Sequence, residues 1–566
     1  MPSIRVERGN LIVITGGHEV TGFLKAKGKK LINGEGQEIL LRGVGFGSWM
    51  LPEGYMWLFP DQGDRPRRIE QMVKDLIGEE KAEQFWEIYY NRYTSESDIR
   101  QIAADGYNSV RVPILARFLI EDSEGEVVRY NQAHLKIMDN VIDWCREHRL
   151  YVILDLHGAT GGQTGTNIDD SEFDKPELFT NERNQEITVA LWRMLAERYK
   201  DEWIVAGYDL LNEPLPEWFS AYNDQVMPLY KRITKAIREV DVHHMIILEG
   251  VHWATDWSIF NEKFDDNLML QFHKYWNNPD TESIQIYLDK REEWNVPIFM
   301  GEGGENNKEW YAGAFRLFED HDISWNFWTW KKMDKANSPC TVIKPTGWQQ
   351  LIDYLEGGVK PDEASAEHIL WEYLHNISFE QCLYQKEVTD SLFRRPSTRI
   401  PAIFYGYKGE GISYGTKYRM VENIGFRIND RTDIRFIEGS RTTPNFQHGK
   451  GESWQADERL CVQLTPEDWL AYEFTVCHAS KASLYKVDLR AFAPNERAQI
   501  AVSVDDKVIG MVEVAGNSWS TLRLNDEFQL SPGLHRLVLT SMVNIVRMDW
   551  LEVIPVNELN LDGNND

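Results

Sequence analysis

From Ile39 to Trp328 short apolar, β-branched runs alternate with longer segments whose apolar positions recur at helical spacing. That is the order expected of parallel strands joined by helices. Eight strands are predicted, at Ile39–Gly43, Asn108–Val112, Tyr151–Leu156, Ile204–Leu211, Met245–Glu249, Leu268–Phe272, Pro297–Gly301 and Ile323–Phe327. Helices such as Asn131–Glu147 and Asn223–Glu239 lie between them. Eight strand–helix units imply an α/β fold closed as a (β/α)8 TIM barrel, in which reactive groups sit at the C-terminal strand ends.

Ahead of the barrel, Leu11–Thr15 and Phe23–Leu31 predict a small hairpin, read as a plug on the barrel bottom. A last helix near Ala364–Leu374 closes the barrel, and Arg394-Arg395-Pro396-Ser397-Thr398-Arg399 marks a linker edge. Beyond it the pattern is all β: Trp469–Val476, Tyr485–Ala491, Gln499–Val504, Thr521–Leu524 and Arg536–Leu539 predict an antiparallel sandwich ending near Val553. The expected divisions are residues 1–376 for cap and barrel, 377–399 for a linker, 400–555 for the sandwich and 556–566 for an acidic tail, Asn557–Asp566 at its end. The joining stretch carries Phe379, Leu383, Tyr384, Leu392 and Phe393, which suit packing better than a flexible tether.

Length and charge narrow the partners. The chain has 566 residues, more than one core usually organises. It carries 61 Lys and Arg against 89 Asp and Glu, a formal net charge of -28, which repels phosphate backbones and anionic membranes. Nucleic acid and membrane are therefore not expected partners; a neutral ligand is, and oligomeric state stays open. The chain contains 21 Trp, 23 Tyr and 24 Phe, whose flat faces suit the C–H faces of sugars, although most must be core. Its five cysteines are widely spaced and lack a CxxC, so reduced thiols and a cytoplasmic location are expected, with secretion the alternative if a leader has been removed. Neither a hydrophobic signal core in Met1–Asn10 nor a membrane-length apolar run is present.

Two short glutamate signatures carry the chemistry. Leu211-Asn212-Glu213-Pro214 and Met300-Gly301-Glu302-Gly303 each end a predicted buried strand. Two carboxylates at separate strand ends can divide acid and nucleophile roles, which is the chemistry of glycoside hydrolysis. Glu213 is the candidate acid and Glu302 the candidate nucleophile, with flanking glycines read as room for substrate against the backbone. Other strand ends carry Arg111, His157, His273, Tyr275 and Trp328. His243-His244 is read as a surface turn rather than a metal site, and Asp169-Asp170-Ser171-Glu172 as a solvated loop rather than a calcium site. Trp49, Trp253, Trp257 and Trp276 are candidates either for sugar subsites or for core.

With these residues in family order, the sequence from about Leu41 to Trp330 resembles glycoside hydrolase family 5, the retaining β-glycosidases. The resemblance implies that Arg111 steadies the nucleophile, His157 contacts sugar, Asn212 binds the 2-hydroxyl and Glu213 is the acid/base. It implies further that His273 and Tyr275 flank the carboxylates, Glu302 is the nucleophile and Trp328 is the platform under the reacting sugar. Asp155–Gly165, Gly43–Trp49 and Phe327–Lys331 look most like the exo-β-1,3-glucanase and β-glucosidase-like branch. The family often places an aromatic directly after the nucleophile, where this chain has Gly303-Gly304-Glu305-Asn306-Asn307. The sandwich resembles family 6 carbohydrate-binding modules at Glu467–Tyr472, Trp519-Ser520-Thr521 and Asp549-Trp550, but Ile400–Phe404 and Val546-Arg547-Met548 replace that family's acidic opening and ligand asparagine.

The expected activity is a retaining β-glycosidase, exo-acting on β-glucosidic oligosaccharides or glycoconjugates, with no metal or organic cofactor. One alternative keeps the chemistry and changes the sugar to galactofuranoside, arabinofuranoside, mannoside or a glycolipid. Another is a catalytically silent carbohydrate-binding protein. The aromatic insertion Gly54–Ser95 is expected to wall one side of an exo pocket, a wholly surface role being its alternative, and the sandwich to serve the barrel structurally.

Overall fold

A parallel strand buried on both faces must be apolar at consecutive positions, and eight such runs pair here. The computed structural model describes residues 20–123, 125, 127–417, 424–477, 480, 484–516 and 518–556. Within them β1 (Arg42–Gly45), β2 (Ser109–Leu115), β3 (Tyr151–Gly158), β4 (Val205–Asp209), β5 (Met245–Glu249), β6 (Leu268–His273), β7 (Ile298–Gly304) and β8 (Ser324–Trp328) close into one barrel in sequential order. Every residue of β2 through β8 is buried. Among the described residues no helix is long and apolar enough to cross a membrane.

The chain divides into two units. One holds Met1–Tyr55, Phe59–Leu270 and Gln349–Glu380; the other holds Met56–Leu58, Gln271–Trp348 and Gln381–Asp566. Strands β1 to β5 belong to the first, β7 and β8 to the second, and β6 runs across the division.

In the first unit a three-stranded sheet of Lys25–Lys27, Lys30–Ile32 and Glu38–Ile39 caps the N-terminal strand ends. The Tyr151 hydroxyl, at the start of β3, donates to the carbonyls of Thr21 and Gly22 at 2.8 and 2.9 Å. Ile39, expected in β1, pairs with Leu31 in this cap instead. The proposed strand Leu11–Thr15 lies outside the described residues, as does the tail Asn557–Asp566.

The insertion after β1 folds into α1 (Pro66–Ile77) and α2 (Glu79–Arg92), followed by α3 (Glu96–Ala104). Its aromatics hold the loop after β1: Tyr93 Oη donates to the Gly47 carbonyl at 3.0 Å and Trp49 Nε1 to the Tyr90 carbonyl at 2.9 Å. Trp49 is therefore core. Arg65 donates to the Ser171 hydroxyl and carbonyl at 2.8 and 3.0 Å, and Arg117 pairs with Asp170 at 2.6 Å, tying the insertion and the β2 loop to the β3 loop. Asp169 accepts from the backbone N–H of Thr164, Gly165 and Ser171. Asp169, Asp170 and Ser171, expected to be solvated, are thus buried while Glu172 stays exposed; the partners of Asp170, Arg67 and Arg117, lie too far along the chain to be read locally. His244 likewise departs from expectation: it is buried, bonded to Asp241 and the Glu202 carbonyl, while His243 stays exposed.

The remaining helices are α4 (Gln132–His148), α5 (Glu182–Tyr199), α6 (Val226–Arg238), α7 (Gln285–Trp294), α8 (Lys308–Asp320), α9 (Trp348–Leu355), α10 (Glu363–Asn376) and α11 (Lys386–Leu392). Asn131 and Asn307 cap α4 and α8 by accepting from His134 N and Trp310 N.

In the second unit the chain after α11 forms two antiparallel sheets. Their strands are β9 (Tyr414–Gly415), β10 (Asp433–Phe436), β11 (Leu460–Leu464), β12 (Trp469–Val476), β13 (Leu484–Phe492), β14 (Ala498–Val504), β15 (Lys507–Val514), β16 (Ser520–Arg523), β17 (Gly533–Val543) and β18 (Val546–Pro555). One sheet runs β10-β11-β18-β13-β16 and the other β9-β12-β17-β14-β15, with inward apolar residues alternating along the strands. This sandwich is joined closely to α8. The buried Arg394 donates to the carbonyls of Ala312 and Phe404, Tyr407 N donates to Asp320 at 2.8 Å, and Arg316 pairs with Glu473 at 2.8 Å. A Cβ on Gly313 would stand 2.8 Å from the Phe404 ring, so helix and sandwich meet with no room for a side chain there.

Candidate active site

Glu213 lies just beyond β4, on a turn that puts it at φ 43°. The segment before it is nailed down: Asn212 N donates to the Leu156 carbonyl at 3.0 Å, and Gln163 Nε2 donates to the carbonyls of His157 and Asn212 at 2.6 and 3.1 Å. The Glu213 N–H donates to Glu249 Oε2 at 2.7 Å. Glu249, the last residue of β5, is fully buried, and its other oxygen accepts from Arg111 at 2.9 Å. Glu213 itself is half-buried, with its backbone fixed by these bonds.

Arg111 is the hub of this half. Its fork reaches Asp209 and Asn212 Oδ1 at 2.9 Å and Asp155 at 3.2 Å, besides Glu249. Three buried carboxylates around one guanidinium leave an excess of negative charge. Burial first, then the Glu249 charge, pushes Asp209 well above the usual carboxylate range, and burial raises Asp155 as well. Asp155 also binds His157 Nδ1 at 2.7 Å, which fixes that nitrogen as the donor and leaves Nε2 to face the Asn212 amide at 3.4 Å and Glu53 at 4.0 Å. Arg111, His157, Asn212 and Glu213 thus form one network, and Glu249, Asp155, Asp209 and Gln163 are its unforeseen members. The signal for Asp209 and Glu249 was present, a carboxylate at the end of an otherwise apolar parallel strand, whereas Asp155 lies inside β3.

In the other unit Glu302 sits in β7, buried, and accepts from the Tyr275 hydroxyl at 2.6 Å. His273 Nδ1, at the end of β6, lies 3.6 Å from the same carboxylate oxygen. The Glu302 carbonyl accepts from Lys274 N at 2.9 Å. Trp328 ends β8, buried, and the Trp328–Thr329 peptide is cis.

The glycines around Glu302 serve a purpose other than the expected one. A Cβ on Gly301 would fall 2.1 Å from the Gln271 side chain, on Gly303 2.6 Å from the Lys274 carbonyl, and on Gly304, at φ 157°, 2.2 Å from the Trp328 carbonyl. The space is already taken by neighbouring chain rather than kept for substrate, which also explains why no aromatic follows Glu302. Instead Glu305 is bonded to Lys332, and its carbonyl accepts from Trp276 Nε1 at 3.0 Å.

Of the other tryptophans, Trp257 is buried, Trp276 is 49% exposed and Trp253 is half-buried. Trp253 lies edge-on to Trp218, its ring 5.9 Å away and 67% exposed, on the loop that follows Glu213. Exposed rings beside a candidate acid suit the faces of sugars or aglycones.

Residues 73–334 match the model for cellulase (glycosyl hydrolase family 5). A β-xylosidase of Phanerodontia chrysosporium is 32% identical over 345 residues, 55% of this chain and 71% of its own. A probable glucan 1,3-β-glucosidase A of Aspergillus fumigatus is 29% identical over 42% of this chain and 56% of its own, and endoglucanase C of Acetivibrio thermocellus 24% identical over 44% and 86%. The chain belongs to glycosyl hydrolase family 5 and is a glycoside hydrolase of a retaining family.

Proposed function

We propose that the chain is an exo-acting β-glycosidase for β-glucosidic oligosaccharides or glycoconjugates, with Glu302 as nucleophile and Glu213 as acid/base. The observation that carries the assignment of roles is the Tyr275–Glu302 hydrogen bond of 2.6 Å, because a hydroxyl donating to a buried carboxylate holds it ionised and oriented for attack. Glu302 Oε attacks the anomeric carbon while Glu213 gives its proton to the departing oxygen, leaving a glycosyl ester on Glu302. Glu213, now a carboxylate, takes a proton from water, whose oxygen displaces Glu302 and restores both groups. Asn212 and His157 are proposed to bind hydroxyls of the sugar, Arg111 to steady the carboxylates and Trp328 to lie under the ring.

Exo action is supported by the insertion Gly54–Ser95, whose ties to the loops after β1 and β3 stand on the face where a pocket end would be closed. Two relatives bear exo-glycosidase names, a β-xylosidase and a glucan 1,3-β-glucosidase, so xylosides join glucosides as substrates to try. A second reading, endo action, is favoured by the endoglucanase relative. Turnover of a nitrophenyl β-glycoside panel and of laminari- and cello-oligosaccharides tests the proposal: single sugars released from chain ends support it, and mixed-length products with a rapid fall in polymer viscosity contradict it.

A further inference from the structure

Asn306 is buried four residues after Glu302, and its amide stands between two backbone carbonyls. Nδ2 donates to the Tyr275 carbonyl at 3.1 Å and to the Phe446 carbonyl, in the sandwich, at 2.7 Å. Its Oδ1 accepts from Asn307 N at 2.8 Å, which fixes the amide's orientation, since the nitrogen end alone can serve both carbonyls. The Asn306 N–H donates to Tyr311 Oη at 3.1 Å, and Tyr311 Oη donates to the Asn337 carbonyl at 2.8 Å. Every polar group of this buried residue is used, so its position is set on all sides.

The Phe446 carbonyl is held just as firmly from the sandwich side. Phe446 packs against Phe426 and Trp454 at centroid distances of 5.1 and 6.0 Å, Asn445 donates to Glu458 at 2.6 Å, and the Glu452 carbonyl accepts from Asn307 Nδ2 at 3.0 Å.

We propose that Asn306 is a positioning residue that links the 445–452 loop of the sandwich to the nucleophile, by holding the Tyr275 backbone so that the Tyr275 hydroxyl stays on Glu302. The path is short: sandwich carbonyl, Asn306 amide, Tyr275 carbonyl, Tyr275 hydroxyl, Glu302. An amide is required, because it alone offers two N–H donors with an acceptor in so small a side chain; Asp has the shape but no donor. The C-terminal module is then part of the catalytic apparatus, which gives its close junction with α8 a purpose that a polysaccharide anchor does not need.

The inference rests on Glu302 being the nucleophile, and the test separates the two. A 2-deoxy-2-fluoro β-glycosyl fluoride of the preferred sugar reads the attack alone: Glu302 bonds to the anomeric carbon, fluoride leaves with the electron pair, and the ester accumulates. Asn306→Ala is expected to lower the first-order inactivation rate constant about 10-fold with little change in the half-saturating concentration, and Asn445→Ala about 3-fold. In a Tyr275→Phe background both substitutions should cost almost nothing more, because the group they position is gone. Equal losses in the two backgrounds, or none in either, overturn the inference while leaving the nucleophile in place. A wild-type enzyme whose label maps to a residue other than Glu302 overturns both.

Discussion

The Glu213 backbone N–H donates to Glu249 Oε2 at 2.7 Å, and the other oxygen of Glu249 accepts from Arg111 at 2.9 Å. The end of β5 thereby holds the residue just beyond β4, and a carboxylate with no proposed contact to substrate fixes the backbone under the candidate acid. Glu249→Gln keeps the shape but turns one acceptor into a donor, facing either the Glu213 N–H or the Arg111 guanidinium. The expected cost is about 2–3 kcal/mol of transition-state stabilisation, or roughly 30- to 150-fold in kcat/KM. Steady-state kinetics on an aryl glycoside checks it, and a loss below about 3-fold contradicts it.

The glycines that follow Glu302 predict a second result. Gly304→Ala places a methyl where the Trp328 carbonyl stands, at φ 157°, so the backbone must move beside Glu302, the proposed nucleophile. The expected outcome is about 2–4 kcal/mol of lost stability together with at least 10-fold lower kcat/KM. Thermal melting and kinetics on the same sample measure both, and an alanine variant with wild-type melting and activity contradicts the packing argument.

Asp280 gives a pH-dependent prediction. Burial, with the Glu282 charge adding to it, raises its carboxyl to about 6, although the N–H groups of Arg427 and Ser283 bond to it at 3.3 and 3.0 Å. Its folded pKa lies above the unfolded value of 3.8, so the stability it contributes is fully present below about pH 4 and is lost as pH rises through 6. Asp280→Asn removes that penalty. The variant should melt higher than wild type at pH 8, by an amount corresponding to about 1–3 kcal/mol, and by about a third as much at pH 4.5. An equal shift at both pH values contradicts the account.

The barrel was legible because its strands are buried on both faces and read as unbroken apolar runs; Met245–Glu249 coincides with β5 to the residue. The sandwich was legible where inward and outward residues alternate, as in Trp469–Val476. Lys507–Val514 went unseen because it is an edge strand with only Val512 and Val514 buried. At the site, Glu213, His273 and Trp328 fall at or just beyond strand ends, whereas the hold that Glu249 and Gln163 have on the segment before and at Glu213 could not be read locally. Their partners are 36 residues away for Glu249 and 49 for the Gln163–Asn212 pair. Glycine is ambiguous in the same way: Gly303 and Gly304 show that a side chain is excluded, but only the fold reveals that a neighbouring carbonyl excludes it.

The division of labour between Glu302 and Glu213 is tested most directly by proton NMR of the glycosyl azide formed when each alanine variant turns over an activated aryl glycoside in the presence of azide. Without Glu213 the ester on Glu302 still forms, and azide displaces it to give the β-azide with net retention; without Glu302 azide enters the vacated face directly and gives the α-azide. The account predicts the β-azide from Glu213→Ala and the α-azide from Glu302→Ala, and the reverse pairing would contradict it.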